Sequence, residues 1–262
     1  MTDLPFDILD HIFGLLRSDP KSLIACSKAH PDFTPIVEKH RYYHTIVHAR
    51  FTIFPYTFKP IRLMKLISAS PSIVRHIRVL EIEFNNRLPS DLMNRFLEDI
   101  AWLLPRFPAI ECLMLSTEYT DSSWSKLSKS FIIALEDCLH LPTLRELHVG
   151  QSDFPLSLLD EHTNINLLSL SENPQITEYL DTTYPQLKSL SVAMTHHCGP
   201  FITWANPRIG NLQTLEFYYL DDEIFLNLLE SCSGTLENLY INFVSSSSTC
   251  ELSSCFRHLV LC

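Results

Sequence analysis

Residues 144–149 read LRELHV, and residues 165–170, 187–192 and 212–217 read INLLSL, LKSLSV and LQTLEF. Each has the form L-x-x-L-x-L. Working outward, the form returns as IECLML at 110–115, IRVLEI at 77–82, LENLYI at 236–241 and FRHLVL at 256–261. The first residues of the eight segments are 33, 34, 21, 22, 25, 24 and 20 positions apart. Alternation within each segment turns the second and third apolar residues to one face of a strand and the residues between them to the other.

A repeat of about 20–29 residues in this form is the signature of a leucine-rich repeat. One such unit cannot bury its apolar face alone, and stacked units share one long core. The expected architecture is α/β: an irregular solenoid over 77–262 with about eight strands. Its parallel strands line the concave face, and helices or loops line the convex face. Such a body presents a surface to another macromolecule, which points to binding and away from a pocket enzyme.

The segments between strands agree. LPSDLMNRFLEDIAWLLPRF (88–107) is an amphipathic helix starting at Ser90 or Asp91 and stopped by Pro105. WSKLSKSFIIALEDCLHL (124–141) is another, and later returns are shorter. Pro108, Pro142 and Pro185 stand two residues ahead of a repeat, where proline ends a helix and sets an extended approach. Gly210 and Gly234 mark the same corner later in the chain. Asn85 and Asn173 follow their strands at a position suited to hydrogen-bonding backbone turns.

The chain has 262 residues, is 46% hydrophobic, and carries 20 basic against 30 acidic residues for a net charge of −10. Residues 1–50 hold six of each sign, so the whole excess lies in 51–262. That balance opposes nucleic-acid binding, which needs a basic footprint. An acidic curved surface would favour a basic partner, although the bland reading is plain solubility. The eight cysteines include no C-x-x-C, and Cys112 and Cys138 fall where the repeat wants apolar residues. They read as reduced, buried thiols of a cytoplasmic or nuclear protein that is not secreted. No secretory leader and no run of 18 apolar residues is present, so no membrane association is expected.

Residues 4–48 read differently. Leu4, Ile8, Leu9, Ile12, Phe13 and Leu16 recur at helical spacing, with Asp3 as a candidate cap and Pro5 in the first turn. Asp19-Pro20 breaks the pattern, Ser22 to Ala29 forms a second helix, and Pro31 and Pro35 frame a third that runs to about His44. This divides the chain into a three-helix block at 1–50, a linker with a helix at 61–69 over 51–76, and the repeats.

The stretch LPFDILDHIFGLLRSDPKSLIACSKAHPDFTPIVEKHRYYHTIVH resembles the F-box family. It carries the family's opening Leu4-Pro5, the acidic Asp7, the Ile8, Leu9, Ile12-Phe13 and Leu16 run, and later anchors at Leu23 and Phe33, where many members have Trp. RLMKLISASPSIVRHIRVLEI looks like the segment that follows in fungal F-box proteins with degenerate leucine-rich repeats. The resemblance implies a substrate-recognition subunit of a Skp–cullin–F-box ubiquitin ligase, without an active site or cofactor. The Skp adaptor would dock on Leu4, Pro5, Ile8, Leu9, Ile12, Phe13, Leu23 and Phe33, and link the chain to a cullin–RING ligase. A protein substrate would meet the outward row of the strands: Glu81, His148, Glu216 and Tyr240, with Tyr218 and Asn242 beside it; Met114, Ser169, Ser191, Val260 and Glu83 share this surface. The alternatives are a repeat scaffold with no ubiquitin link, in which the helices merely cap the solenoid, and an enzyme built on His and Cys.

The last alternative has little to stand on. His40, His44 and His48 would share a helix face, but β-branched Thr45, Ile46 and Val47 weaken that helix and no carboxylate or Cys nearby completes a site. His196-His197-Cys198 reads as a solvated loop before Gly199-Pro200. Cys250 and Cys255 fit no zinc spacing. No phosphate-cradling or catalytic motif occurs. Finally, the segment at 256–261 has no polar cap after it, so Phe256, Leu259 and Leu261 are expected to expose an apolar flank, with the native solenoid continuing.

Overall fold

A computed structural model describes residues 4–49, 57–84, 89–117, 127–150, 154–159, 164–171, 187–193, 201, 205, 208–218 and 228–242. Three helices open the chain: α1 (Phe6–Leu15), α2 (Pro20–Ala29) and α3 (Thr34–Arg41). One all-parallel sheet follows, of nine strands: β1 (His44–His48), β2 (Thr57–Phe58), β3 (Val79–Phe84), β4 (Cys112–Thr117), β5 (Glu146–Gly150), β6 (Leu167–Ser171), β7 (Ser189–Ala193), β8 (Thr214–Tyr218) and β9 (Asn238–Asn242). The spatial order is β2-β1-β3-β4-β5-β6-β7-β8-β9. Helix α4 (Pro60–Ala69) leads into β3, α5 (Ser90–Leu103) joins β3 to β4, and α6 (Lys129–Leu139) joins β4 to β5.

The register explains why L-x-x-L-x-L works as a structural unit. Leu80, Leu113, Leu147, Leu168, Leu190, Leu215 and Leu239 are paired strand to strand in one row, and Ile82, Leu115, Val149, Leu170, Val192, Phe217 and Ile241 in the next. The motif's first residue adds a third buried row: Ile77, Ile110, Leu144, Ile165, Leu187 and Leu212. Each fully buried Leu or Ile contributes roughly 1.5–3 kcal/mol, so the aligned rows dominate stability. Helix α5 turns Phe96, Leu97, Ile100 and Leu103 onto this core, and α6 turns Phe131, Leu135 and Leu139. Phe84, at the end of β3, meets Phe96 and Phe131 edge-on at 6.1 and 5.8 Å and ties both helices to the sheet.

A backbone motif recurs at every step. The carbonyl of Tyr43 accepts from the N–H groups of Arg78 and Val79, and that of Arg78 accepts from Glu111 and Cys112. The same double acceptance continues at Glu111, Arg145, Asn166, Lys188 and Gln213. It identifies a unit that the pattern reading missed. Tyr42, Thr45 and Val47 occupy the three inward positions, all buried, and Thr45 pairs with Leu80 and Val47 with Ile82. Polar Thr45 is tolerated in an apolar row because its hydroxyl donates to the Tyr42 carbonyl at 3.1 Å. The third helix therefore stops at Arg41 instead of running to His44, and the chain goes straight into the sheet.

Asp19-Pro20 separates α1 from α2, as the break in the pattern implies, and the second helix starts at Pro20, two residues ahead of Ser22. The Asp19 carboxylate accepts from the Ser22 N–H at 3.2 Å and Pro20 takes the first helical position. Pro5 sits at the N-cap of α1, not inside its first turn. Asp3, Asn85, Asn173, Pro185 and the segment 256–261, with its expected open flank, lie outside the described residues. Among the described residues no helix is long and apolar enough to cross a membrane.

Candidate functional site

Two surfaces gather the residues singled out from the sequence. The first is on the helical block, whose own core consists of the buried Phe13, Leu23, Ile36 and Val37, with Leu9, Leu16, Cys26 and Phe33 packed against it. Phe13 meets Phe33 edge-on at 5.4 Å. Phe13 and Leu23, expected to face an adaptor, are thus interior residues, at 4% and 0% exposed. Periodicity marks them as apolar but cannot say which apolar stripe of α1 faces home. Leu9 and Phe33 are half-buried, while Leu4, Pro5, Ile8 and Ile12 are exposed. Phe6 and Leu15 join the exposed set at 65% and 71%, and neither was singled out from the sequence. Ile8, Ile12 and Leu15 stand at i, i+4, i+7, one stripe along the helix. The helix is apolar on two sides, with a small core on one of them and the other exposed.

A polar network fixes that helix to α3. Asp10 accepts from Lys39 Nζ at 2.7 Å and lies 2.9 Å from His40 Nε2. Arg17 Nε donates to His40 Nδ1 at 2.9 Å, so Nδ1 is the acceptor and Nε2 carries the proton toward Asp10. Both ring nitrogens are committed, which suits a clamp and leaves no base to act on a substrate. Burial lowers the His40 pKa and the Asp10 contact opposes this; the hydrogen bond from Lys39 lowers that of Asp10. The three histidines at i, i+4, i+8 do not converge: His40 is on α3, and His44 and His48 are on β1.

The second surface is the face of the sheet that the helices leave open. Glu81, Met114, His148, Ser169, Ser191, Glu216 and Tyr240 form one row across β3 to β9 by backbone pairing, as read from the sequence. Tyr240 is 53% exposed. Tyr218 and Asn242 are paired in the next row; nothing further is described of their side chains. On the first strands this face carries His–carboxylate pairs. His44 Nε2 lies 3.2 Å from Glu81, and His48 Nδ1 contacts Glu83. The His44 contact leads in lowering the Glu81 pKa.

Three donors meet between β4 and β5. Cys112 pairs with Glu146 across the strands, and His148 follows Glu146 by two on the same face. Cys112 Sγ, a Glu146 carboxylate oxygen and a His148 ring nitrogen all lie within 4.8 Å of one another. Desolvation, then the charge of Glu146, pushes the Cys112 thiol up to about 12; burial lowers the His148 pKa against the pull of Glu146. Sequence reading placed His148 in the outward row but gave Cys112 only an apolar role. The signal was the third letter of consecutive segments, IEC and LRE, which strand pairing sets side by side.

Compared with known proteins, the chain matches no protein-family model and no curated protein.

Proposed function

We propose that this chain is a substrate-recognition subunit of a Skp–cullin–F-box ubiquitin ligase, with residues 4–48 as an F-box and the sheet as a leucine-rich-repeat solenoid. The observation that carries this reading is the exposed apolar stripe of α1, with Leu4 just ahead of the helix. Leu4 is 48% exposed, Ile8 44%, Ile12 40% and Leu15 71%, beside a core too small to take them. Such a stripe suits a groove on a helical partner, the mode in which anchors at i, i+4 and i+7 dock. The F-box resemblance points to a Skp adaptor as that partner and to a cullin–RING ligase as the attached enzyme. The row from Glu81 to Tyr240 then receives a protein substrate, with Tyr240 as its exposed aromatic anchor. Catalysis belongs to the ligase, so the chain needs no cofactor.

The test is capture of purified Skp adaptor by the full chain and by a variant carrying Ile8→Asp and Ile12→Asp. Each lost anchor should cost on the order of 1–3 kcal/mol of binding, while the melting temperature stays close to that of the parent. Failure of the parent chain to capture the adaptor overturns the reading and leaves a repeat scaffold without a ubiquitin role. Equal capture by parent and variant overturns the docking face.

A further inference from the structure

We propose that Cys112, Glu146 and His148 form a binding site for a zinc-class divalent ion on the open face of the sheet. Thiolate, imidazole and carboxylate are the three side-chain donors that zinc takes, and three protein ligands with a fourth position left to water is a recurrent zinc arrangement. Cysteine weights the choice toward zinc and away from magnesium or calcium, which prefer all-oxygen sets.

The scaffold is rigid where it matters. Cys112 and Glu146 are register partners on adjacent parallel strands, and His148 is two residues along β5, so three backbone positions are fixed by the same hydrogen-bonded ladder. Glu146 and His148 already approach to 3.9 Å, and all three donor atoms lie within 4.8 Å. Tetrahedral ligands at zinc bond lengths stand roughly 3.5 Å apart, so side-chain rotations of about an ångström close the site without moving a strand.

The surroundings favour a cation and admit one. Glu81 adds negative charge near Cys112 beyond that of Glu146. The neighbouring arginines are turned to other partners. Arg145 donates to the Asn164 carbonyl at 3.3 Å, and Arg78 donates to Glu111 at 2.9 Å. A cavity of about 390 Å³, with Tyr43, Val79, Glu111 and Arg145 in its wall, reaches both Cys112 and Glu146 from the start of the strands, and the Arg145 guanidinium there is held by the Asn164 carbonyl. On binding, the Sγ–H bond breaks, the proton passes to solvent, and the sulfur lone pair forms the bond to the ion. Nothing is oxidised or reduced.

Cobalt(II) is the probe, because a thiolate ligand gives it a charge-transfer band and a tetrahedral field gives it intense visible bands. The full chain, stripped with chelator, should bind about one cobalt per chain with both signatures and release it to zinc. Cys112→Ser should lose the charge-transfer band, His148→Ala should lose the visible bands, and Cys26→Ser should keep both. Glu146→Gln, which preserves shape, should weaken cobalt affinity about tenfold or more. Zinc should raise the melting temperature of the parent and leave that of Cys112→Ser unchanged. Absence of the band in the parent, its survival in Cys112→Ser, or unchanged affinity in Glu146→Gln overturns the site.

Discussion

Helix α1 and strand β6 both carry apolar side chains at regular spacing, yet α1 leaves Ile8, Ile12 and Leu15 in water while β6 holds Leu168 and Leu170 at 2% exposed. The difference comes from what each element is packed against. Strand β6 has neighbours on both sides whose inward residues continue its own rows, and Leu156, Leu159 and Ile165 join the same core, so both inward positions are covered. Among the described residues, helix α1 packs against α3 and, through Phe13, against Leu23 of α2 and Phe33, which cover one of its sides. Apolar periodicity thus has two meanings in one chain. In the sheet it marks the interior, and in the block it marks both a small interior and an exposed apolar stripe.

The comparison breaks most readily at Leu168. Leu168→Asp puts an unpaired charge into the shared core and should cost more than about 4 kcal/mol. Ser169→Asp, one residue on and facing outward, should change stability by about 0.5 kcal/mol or less. Equal melting temperatures for the two variants would refute the inward and outward assignment. Next in size is Leu23, the buried centre of the block. Leu23→Ala should cost about 2–5 kcal/mol, whereas Ile12→Ala on the exposed stripe should change stability little. Comparable losses, read by urea titration, would mean that α1 has one apolar face and not two.

A smaller effect sharpens the comparison through pH. Burial lowers the His40 pKa from its ordinary value of 6.5 in the folded chain, so the unfolded chain takes up this proton first. The contribution is fully present above pH 6.5 and is lost as pH falls through that value toward the folded pKa. Protonation also removes the Nδ1 acceptor that Arg17 uses. His76 and His148 are lowered by burial with the same sign. Asp10 loses its share only at lower pH, below the ordinary carboxylate value of 3.8. Melting temperature should therefore fall from pH 7 to 5.5, and His40→Gln should flatten part of that slope. A slope unchanged by His40→Gln would remove the histidine clamp from the block's stability. Small as well, Arg78→Ala breaks a half-exposed pair with Glu111 and should cost no more than about 1 kcal/mol, a loss that 1 M salt should reduce in the parent. A larger loss would give the strand-edge charges a structural weight that the apolar rows are held to carry.

Strands β3 to β9 were legible because their inward positions are apolar in every segment, and alternation plus spacing reports that directly. Strand β1 was hidden by Thr45, whose polarity is satisfied by a hydrogen bond that no pattern displays. Its signal was the spacing: Tyr42 precedes Ile77 by 35 residues, close to the next two intervals. Of the residues assigned to an adaptor, Leu4, Pro5, Ile8 and Ile12 are exposed, which composition and periodicity allow. Phe13 and Leu23 were assigned to the wrong side because the choice between two apolar stripes is made by α2 and α3. The Cys112–Glu146–His148 cluster joins residues 34 positions apart, and only the pairing of β4 with β5 brings them together.

The chain of doubly accepting carbonyls from Tyr43 to Gln213 has a mechanical consequence. Among the described residues each strand from β3 to β8 is bonded to the unit before it and the unit after it, so tension applied between the ends loads the ladder one step at a time. Parallel neighbours pulled from opposite ends slide past one another in shear, and peeling a terminal strand breaks its row of bonds in sequence. The molecule should yield in a series of small extensions, each the length of one repeat, with the early units releasing about 34 residues of slack and the later ones closer to 20–25.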